Sequence, residues 1–205
     1  MNELFEAVKS KVGEFLIDKE YIKRGKNDFI RKEKLYKREE VITFSSVSGK
    51  APRPDITSIN ITSGIYYKQV NSLDKKIVKD FLNSYPIVSG SIGHFKNENS
   101  GYFSIPIGNV SKVDMVSQEI IKNIELGAFN LFKKYSSIKN ILLAIDQKQE
   151  WLNDYHKFLN FRESIKLAAM YNLAFNKDKA IEWFNSNAPE NAKKIETLEL
   201  MEKEW

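Results

Sequence analysis

Residues Asp55 to Lys68 read DITSINITSGIYYK, and the alternation in this stretch decides the fold. Successive Cβ atoms of a strand point to opposite sides of the pleat. Taken with a period of two, Thr57, Ile59, Ile61, Ser63, Ile65 and Tyr67 share one face. Ile56, Ser58, Asn60, Thr62, Gly64 and Tyr66 share the other. A β-branched run with one apolar and one largely polar face is a half-buried strand. Its length and flanking polar loops predict the central strand of an antiparallel sheet.

Toward the N-terminus, Leu4, Phe5, Val8, Val12, Phe15 and Leu16 recur at helical spacing and predict a helix over Asn2 to Ile17. A turn over Tyr21 to Asn27 then leads to a first strand carrying Phe29 and Arg31. A second strand over Glu39 to Ser48 places Ile42 and Phe44 on one face and Val41, Thr43 and Val47 on the other. Two prolines in the run from Ser48 to Pro54 cannot donate to a ladder, so that run reads as an exposed loop reaching out with Lys50 and Arg53.

Toward the C-terminus, Ser72 reads as the N-cap of a short helix with Asp74 in its first turn. Leu73, Ile77, Val78, Phe81 and Leu82 form its buried face, and Tyr85-Pro86 ends it. Two strands follow over Pro86 to Phe95 and Gly101 to Ile107, joined by a turn over Lys96 to Gly101. Pro106 marks the second of these as an edge strand. Ser111 to Asp114 resembles a capping box, after which an apolar stripe runs from Val113 to Tyr135. Ser136 or Ser137 caps a helix bearing Ile138, Ile141, Leu142 and Ile145. From Leu152 the chain reads as two or three more helices, the last opened by Ala188-Pro189-Glu190. Leu167, Ala168, Tyr171, Ala180 and Phe184 fall at the spacing of a tetratricopeptide-like helical hairpin.

Segregated strands and helices imply an α+β fold, an antiparallel β-sheet covered by helices with a C-terminal all-helical extension. The expected division is an α+β domain over 1–146 and a helical extension over 147–205, with a soft boundary between them.

The 205 residues include 13 Phe, 9 Tyr and 3 Trp, ample apolar area for a core. There is no cysteine, which excludes disulfides, thiolate nucleophiles and cysteine-based zinc sites. The N-terminus alternates charge with apolar residues and has no uninterrupted apolar run, so neither a secretory signal nor a membrane span is expected. A cytoplasmic location follows as the expectation.

The net charge is +5, and Lys19, Lys23, Arg24, Lys26, Arg31, Lys32, Lys34, Lys37 and Arg38 crowd one segment. Such a run attracts phosphates or an acidic protein surface. A solvated turn and edge-strand face is the simpler account, since lysines there discourage stray strand pairing. His94, beside Gly90 and Gly93, is the candidate for acid–base work, while His156 reads as a helix-face histidine. Two separated histidines without cysteine predict no metal site, and the Gly90 to Gly93 run lacks the spacing of a phosphate-binding fingerprint. No Gly-x-Ser-x-Gly elbow or acidic nuclease cluster is present, so neither catalytic residues nor a cofactor are expected. Tyr66 and Tyr67 fall on opposite faces, so one of them at most meets a ligand.

The run Lys23-Arg24-Gly25 to Phe29 and Arg31, the strand Ile59 to Tyr66, the Ile92-Gly93 turn and the helix Glu119 to Lys134 together resemble an uncharacterised bacterial family, a domain of unknown function. The resemblance covers about two thirds of the chain. It departs after the first helix, where Glu20-Tyr21-Ile22 stands in place of a Gly-Phe pair. It implies a small bacterial cytoplasmic protein of a class associated with protein binding, such as toxin neutralisation, and it carries over no catalytic residue. The functional expectation is therefore a non-enzymatic protein-interaction module of immunity or antitoxin type. Arg24, Arg31, Lys50, Arg53, Tyr66 and His94 are its candidate contacts. The alternatives are nucleic-acid binding through Lys19 to Arg38 and an enzyme with a site near His94.

Overall fold

The computed structural model describes residues 3–35, 37–48, 56–78, 86–95, 103–147 and 160–205. The loop with Lys50 and Arg53, the end of the helix expected to include Phe81 and Leu82, the turn after Lys96 and the segment with His156 lie outside the described residues. The chain forms two compact units. The first comprises residues 1–66 and 86–134, the second residues 67–85 and 135–205.

Among the described residues the first unit is built on a six-stranded antiparallel sheet, in spatial order Ile22–Arg24 (β1), Asp28–Glu33 (β2), Arg38–Ser48 (β3), Thr57–Tyr67 (β4) and Val88–Ser91 (β5), with Ser104–Ile107 (β6) also on β4. It opens with α1, Glu3–Asp18, whose Phe5, Val8, Val12 and Leu16 are buried at helical spacing. Gly13 lets this helix settle on the sheet, because a Cβ there would lie 2.7 Å from the Phe29 ring. β1, Ile22–Arg24, and β2, Asp28–Glu33, form a hairpin in the register Lys23↔Phe29, turned by Gly25 at φ +65°. The expected turn over Tyr21 to Asn27 is thus corrected: three of its residues form a strand. The Lys9 ammonium, buried, donates to the Lys26 carbonyl and to Asn27 Oδ1, each at 3.1 Å, and so pins the hairpin tip.

β3, Arg38–Ser48, pairs with β2 in the register Phe29↔Ile42 and Arg31↔Glu40. β4, Thr57–Tyr67, is interior as expected. β5, Val88–Ser91, takes its Thr62 to Ile65 portion, and β6, Ser104–Ile107, takes Thr57 to Asn60. Ile59, Ile61 and Ile65 of β4, with Phe29, Ile42 and Phe44, are fully buried on the helix-covered face. Removing such side chains from water contributes about 1.5–3 kcal/mol each.

The strand expected to reach Phe95 stops at Ser91, and Ile92–Phe95 forms a 3-10 turn instead. The long apolar stripe is realised as α3, Val113–Asn123, a π-helical segment, Ile124–Phe129, and α4, Asn130–Lys134. Ser111 does not cap it: α3 follows directly on a 3-10 turn, Val110–Lys112, which Asn109 caps by accepting from the Ser111 N–H, and Lys112 at the start of α3 makes no side-chain cap. Asp114 ion-pairs with Lys11 instead of closing a capping box.

In the second unit α2, Lys68–Ile77, follows β4 directly. Ser72 lies inside it and donates to the Lys68 carbonyl at 2.8 Å, so it is no N-cap. Ser137 caps α5, Ile138–Asp146. Asn160 and Glu163 form a capping box on α6, Phe161–Ala174, and Asn176 caps α7, Lys177–Asn187. α8, Lys194–Glu204, starts later than Pro189 predicts, because the chain leaves helical geometry at Ala188. Ile77, Ile165, Ala168, Ala180, Phe184, Ala188 and Met201 form one core cluster. Small alanines on facing turns of α6 and α7 let the two helices close up. Among the described residues no helix is long and apolar enough to cross a membrane.

A Cβ at Gly127, in the π-helical segment, would overlap the Ile92 carbonyl oxygen. Backbone cannot yield there as a flexible side chain does. Gly127→Ala is expected to lower unfolding free energy by about 1–3 kcal/mol in urea denaturation. Unchanged stability would show that the 3-10 turn and the π-helical segment do not pack as described.

Candidate functional site

The face of the sheet away from α1 is mixed: Ile30 and Val41 are buried on it, beside a set of polar side chains. The pleat puts Ser58, Thr62 and Tyr66 of β4 there, half-buried, with Asn60 between them. The β1–β2 register sets Arg24 opposite Asp28, and the β2–β3 register sets Asp28 opposite Thr43. Directly opposed side chains project from the same face. Thr43 Oγ1 donates to Asp28 Oδ1 at 2.7 Å, and Arg24 Nη1 lies 3.6 Å from Glu39 Oε2. The Arg24 side chain is 60% exposed and that of Glu39 only 10%, so the guanidinium reaches outward from an anchored carboxylate. Burial, then the charge of Asp28, raises the Tyr66 phenol above its ordinary range despite Arg24, and Tyr66 stays a hydrogen-bond donor at neutral pH. Asn60 Oδ1 is buried without a hydrogen-bond partner.

Two candidates chosen from sequence, Arg24 and Tyr66, therefore meet on one surface with Asp28, Glu39 and Thr43. Arg31 is placed elsewhere. It lies on the helix-covered face, where its Nε and Nη2 donate to Glu40 Oε2 at 2.9 and 2.7 Å. Tyr21 O–H donates to the same oxygen at 3.2 Å, and Arg38 Nη2 donates to Glu40 Oε1 at 2.5 Å. The guanidinium of Arg31 also lies 4.9 Å from the Tyr21 ring centroid and 5.9 Å from that of Phe129. Burial and the Glu40 charge push the Tyr21 phenol upward, which keeps it a donor. Glu40, 1% exposed, is a structural anchor that sequence reasoning missed. All three arginines of the basic segment are thus engaged with Glu39 or Glu40.

His94 is exposed on the 3-10 turn and, among the described residues, makes no ion pair or hydrogen bond with a carboxylate. Also among the described residues, no group of three or more His, Asp or Glu side chains converges as metal ligands.

The second unit has two features of its own. Asp74 is buried, its Oδ1 lacks a hydrogen-bond partner, and desolvation raises its carboxyl above the ordinary range. Desolvation also lowers the Lys166 ammonium to about 8. Separately, Lys179, Glu182, Trp183, Ser186 and Asn187 on one face of α7 line a groove of about 480 Å³ with Tyr171 and Phe175. The Tyr171 and Trp183 rings stack there at 5.1 Å.

Comparison with family models, curated proteins and solved structures finds no match for this chain.

Glu40 accepts from two guanidinium groups, one of them, Arg38, buried with it. Removing one partner of a buried ion pair strands the other. Glu40→Gln is expected to cost about 3–5 kcal/mol of stability by urea denaturation. A loss below about 1 kcal/mol, the scale of an exposed pair, would show that Glu40 is no anchor.

Proposed function

We propose that this protein is a non-enzymatic protein-interaction module of immunity or antitoxin type. Its polar sheet face binds an acidic surface of a partner protein. The observation that carries the reading is the meeting of Arg24 and Tyr66 with Asp28, Glu39 and Thr43 on one face. Cross-strand pairs hold these donors and acceptors in place before a partner arrives, which lowers the ordering cost of binding. Exposed Lys23, Lys26, Lys32, Lys34 and Lys37 around the β1–β2 rim favour a partner of opposite sign and speed encounter. The resemblance to a bacterial family associated with protein binding supports the same reading, as does a helical hairpin of tetratricopeptide-like spacing.

Nucleic-acid binding is the second reading, favoured by those same lysines. With the arginines tied to carboxylates, it draws on lysine contacts to phosphate, whose affinity falls steeply with salt. A gel shift at low salt that vanishes at moderate salt separates it from the first.

Co-expression with a genetically adjacent toxin, where the locus carries one, tests the leading reading. The wild-type chain is expected to restore growth. Arg24→Glu and Tyr66→Ala are each expected to weaken the complex tenfold or more while the melting temperature stays within a few degrees. Full protection and unchanged affinity in both variants would remove the sheet face from recognition.

A further inference from the structure

The outward face of α5 has a symmetry of its own. Ile141, Leu142, Ala144 and Ile145 point into the second unit. Lys139, Leu143 and Asp146, spaced four and three residues apart, share the opposite, exposed side. Leu143 is 56% exposed, a large apolar side chain in water midway between a cation and an anion. Two rings from α6 extend this patch. The Lys139 ammonium lies 5.5 Å from the centroid of Phe175, itself 55% exposed. At the other end, the Tyr171 hydroxyl donates to Asp146 Oδ1 at 3.0 Å, and its ring stacks on Phe175 at 5.9 Å. The charged ends of the strip are roughly 10 Å apart along the helix.

Such a strip is complementary to itself when turned end over end. A twofold axis beside Leu143 brings Leu143 against Leu143 and Lys139 against Asp146 twice, the self-matching arrangement that a twofold interface requires. We propose that the exposed face of α5 and the adjoining Phe175 form a homodimer interface, with a second copy of this chain docked antiparallel across it. Because α5 is short, such an interface falls below the roughly 800 Å² per partner of a standard one, and the dimer is weak and concentration-dependent. This interface is separate from the sheet face, so either assignment can fail without the other.

Sedimentation velocity of the full chain over a concentration series tests it. The wild-type chain is expected to pass from monomer to dimer, and Leu143→Arg to remain monomeric. Lys139→Glu alone and Asp146→Lys alone each juxtapose like charges, and each is expected to weaken the dimer tenfold or more. An equimolar mixture of these two variants restores both opposite-charge pairs and is expected to regain the dimer. A wild-type chain that stays monomeric throughout, a dimer indifferent to Leu143→Arg, or a mixture no tighter than its components would overturn the proposal. Circular dichroism checks folding. If Asp146→Lys does not fold, for want of the Tyr171 acceptor, Leu143→Arg decides alone, and dimer retained in that variant overturns the proposal.

Discussion

The pleat of β4 is the constraint from which the first unit follows. A strand with isoleucine at three of its six core-facing positions has one arrangement that keeps those side chains out of water. A slip by one residue would turn Ile59, Ile61 and Ile65 out of the core and put Ser58 and Thr62 into it. The cost of that exchange fixes the register of β5 and β6 on β4. It also fixes which face the polar side chains occupy, so the surface assigned to recognition is a by-product of the core.

Charge is arranged on the same logic. The basic segment looks from its sequence like a free cationic patch, yet its arginines are drawn onto Glu39 and Glu40. Glu40 accepts from Arg31, Arg38 and Tyr21 and ties β2 to β3 beside the stacked Tyr21 and Phe129 rings. What reaches solvent is the Arg24 side chain and a rim of lysines, strongly hydrated point charges with no bidentate grip. In the proposed reading, specific contact falls to Arg24, Tyr66 and the paired side chains between them.

Much of this was legible in the chain, and the reasons differ by element. α1, β3 and β4 announce themselves because their periodicity is local and unbroken. β1 does not, since Ile22, Lys23 and Arg24 are all exposed and become a strand only through pairing with β2. The start of α2 was obscured because two of its buried positions, Asn71 and Asp74, are polar and break the apolar stripe. Arg24 and Tyr66 were recognisable singly, but their meeting depends on strand order, which no local pattern encodes. Glu40 had a usable signal, a carboxylate two residues from Arg38 and opposite Arg31 once the hairpin register is known. Lys50 and Arg53 lie outside the described residues, and His94 stands exposed apart from the sheet face.

The absence of cysteine from the chain makes one measurement direct, since any thiol introduced is the only thiol present. Single cysteines placed along β4 report which face is open and which face a partner covers. Ser58→Cys and Thr62→Cys are expected to react with a soluble thiol reagent and to lose that reactivity when the proposed partner protein is bound. Thr57→Cys and Ser63→Cys, on the helix-covered face, are expected to stay unreactive throughout. Equal labelling of the two sets, or partner-bound labelling unchanged at Ser58→Cys and Thr62→Cys, would contradict the proposal that the half-buried positions of β4 face a partner while its isoleucine face lies in the core.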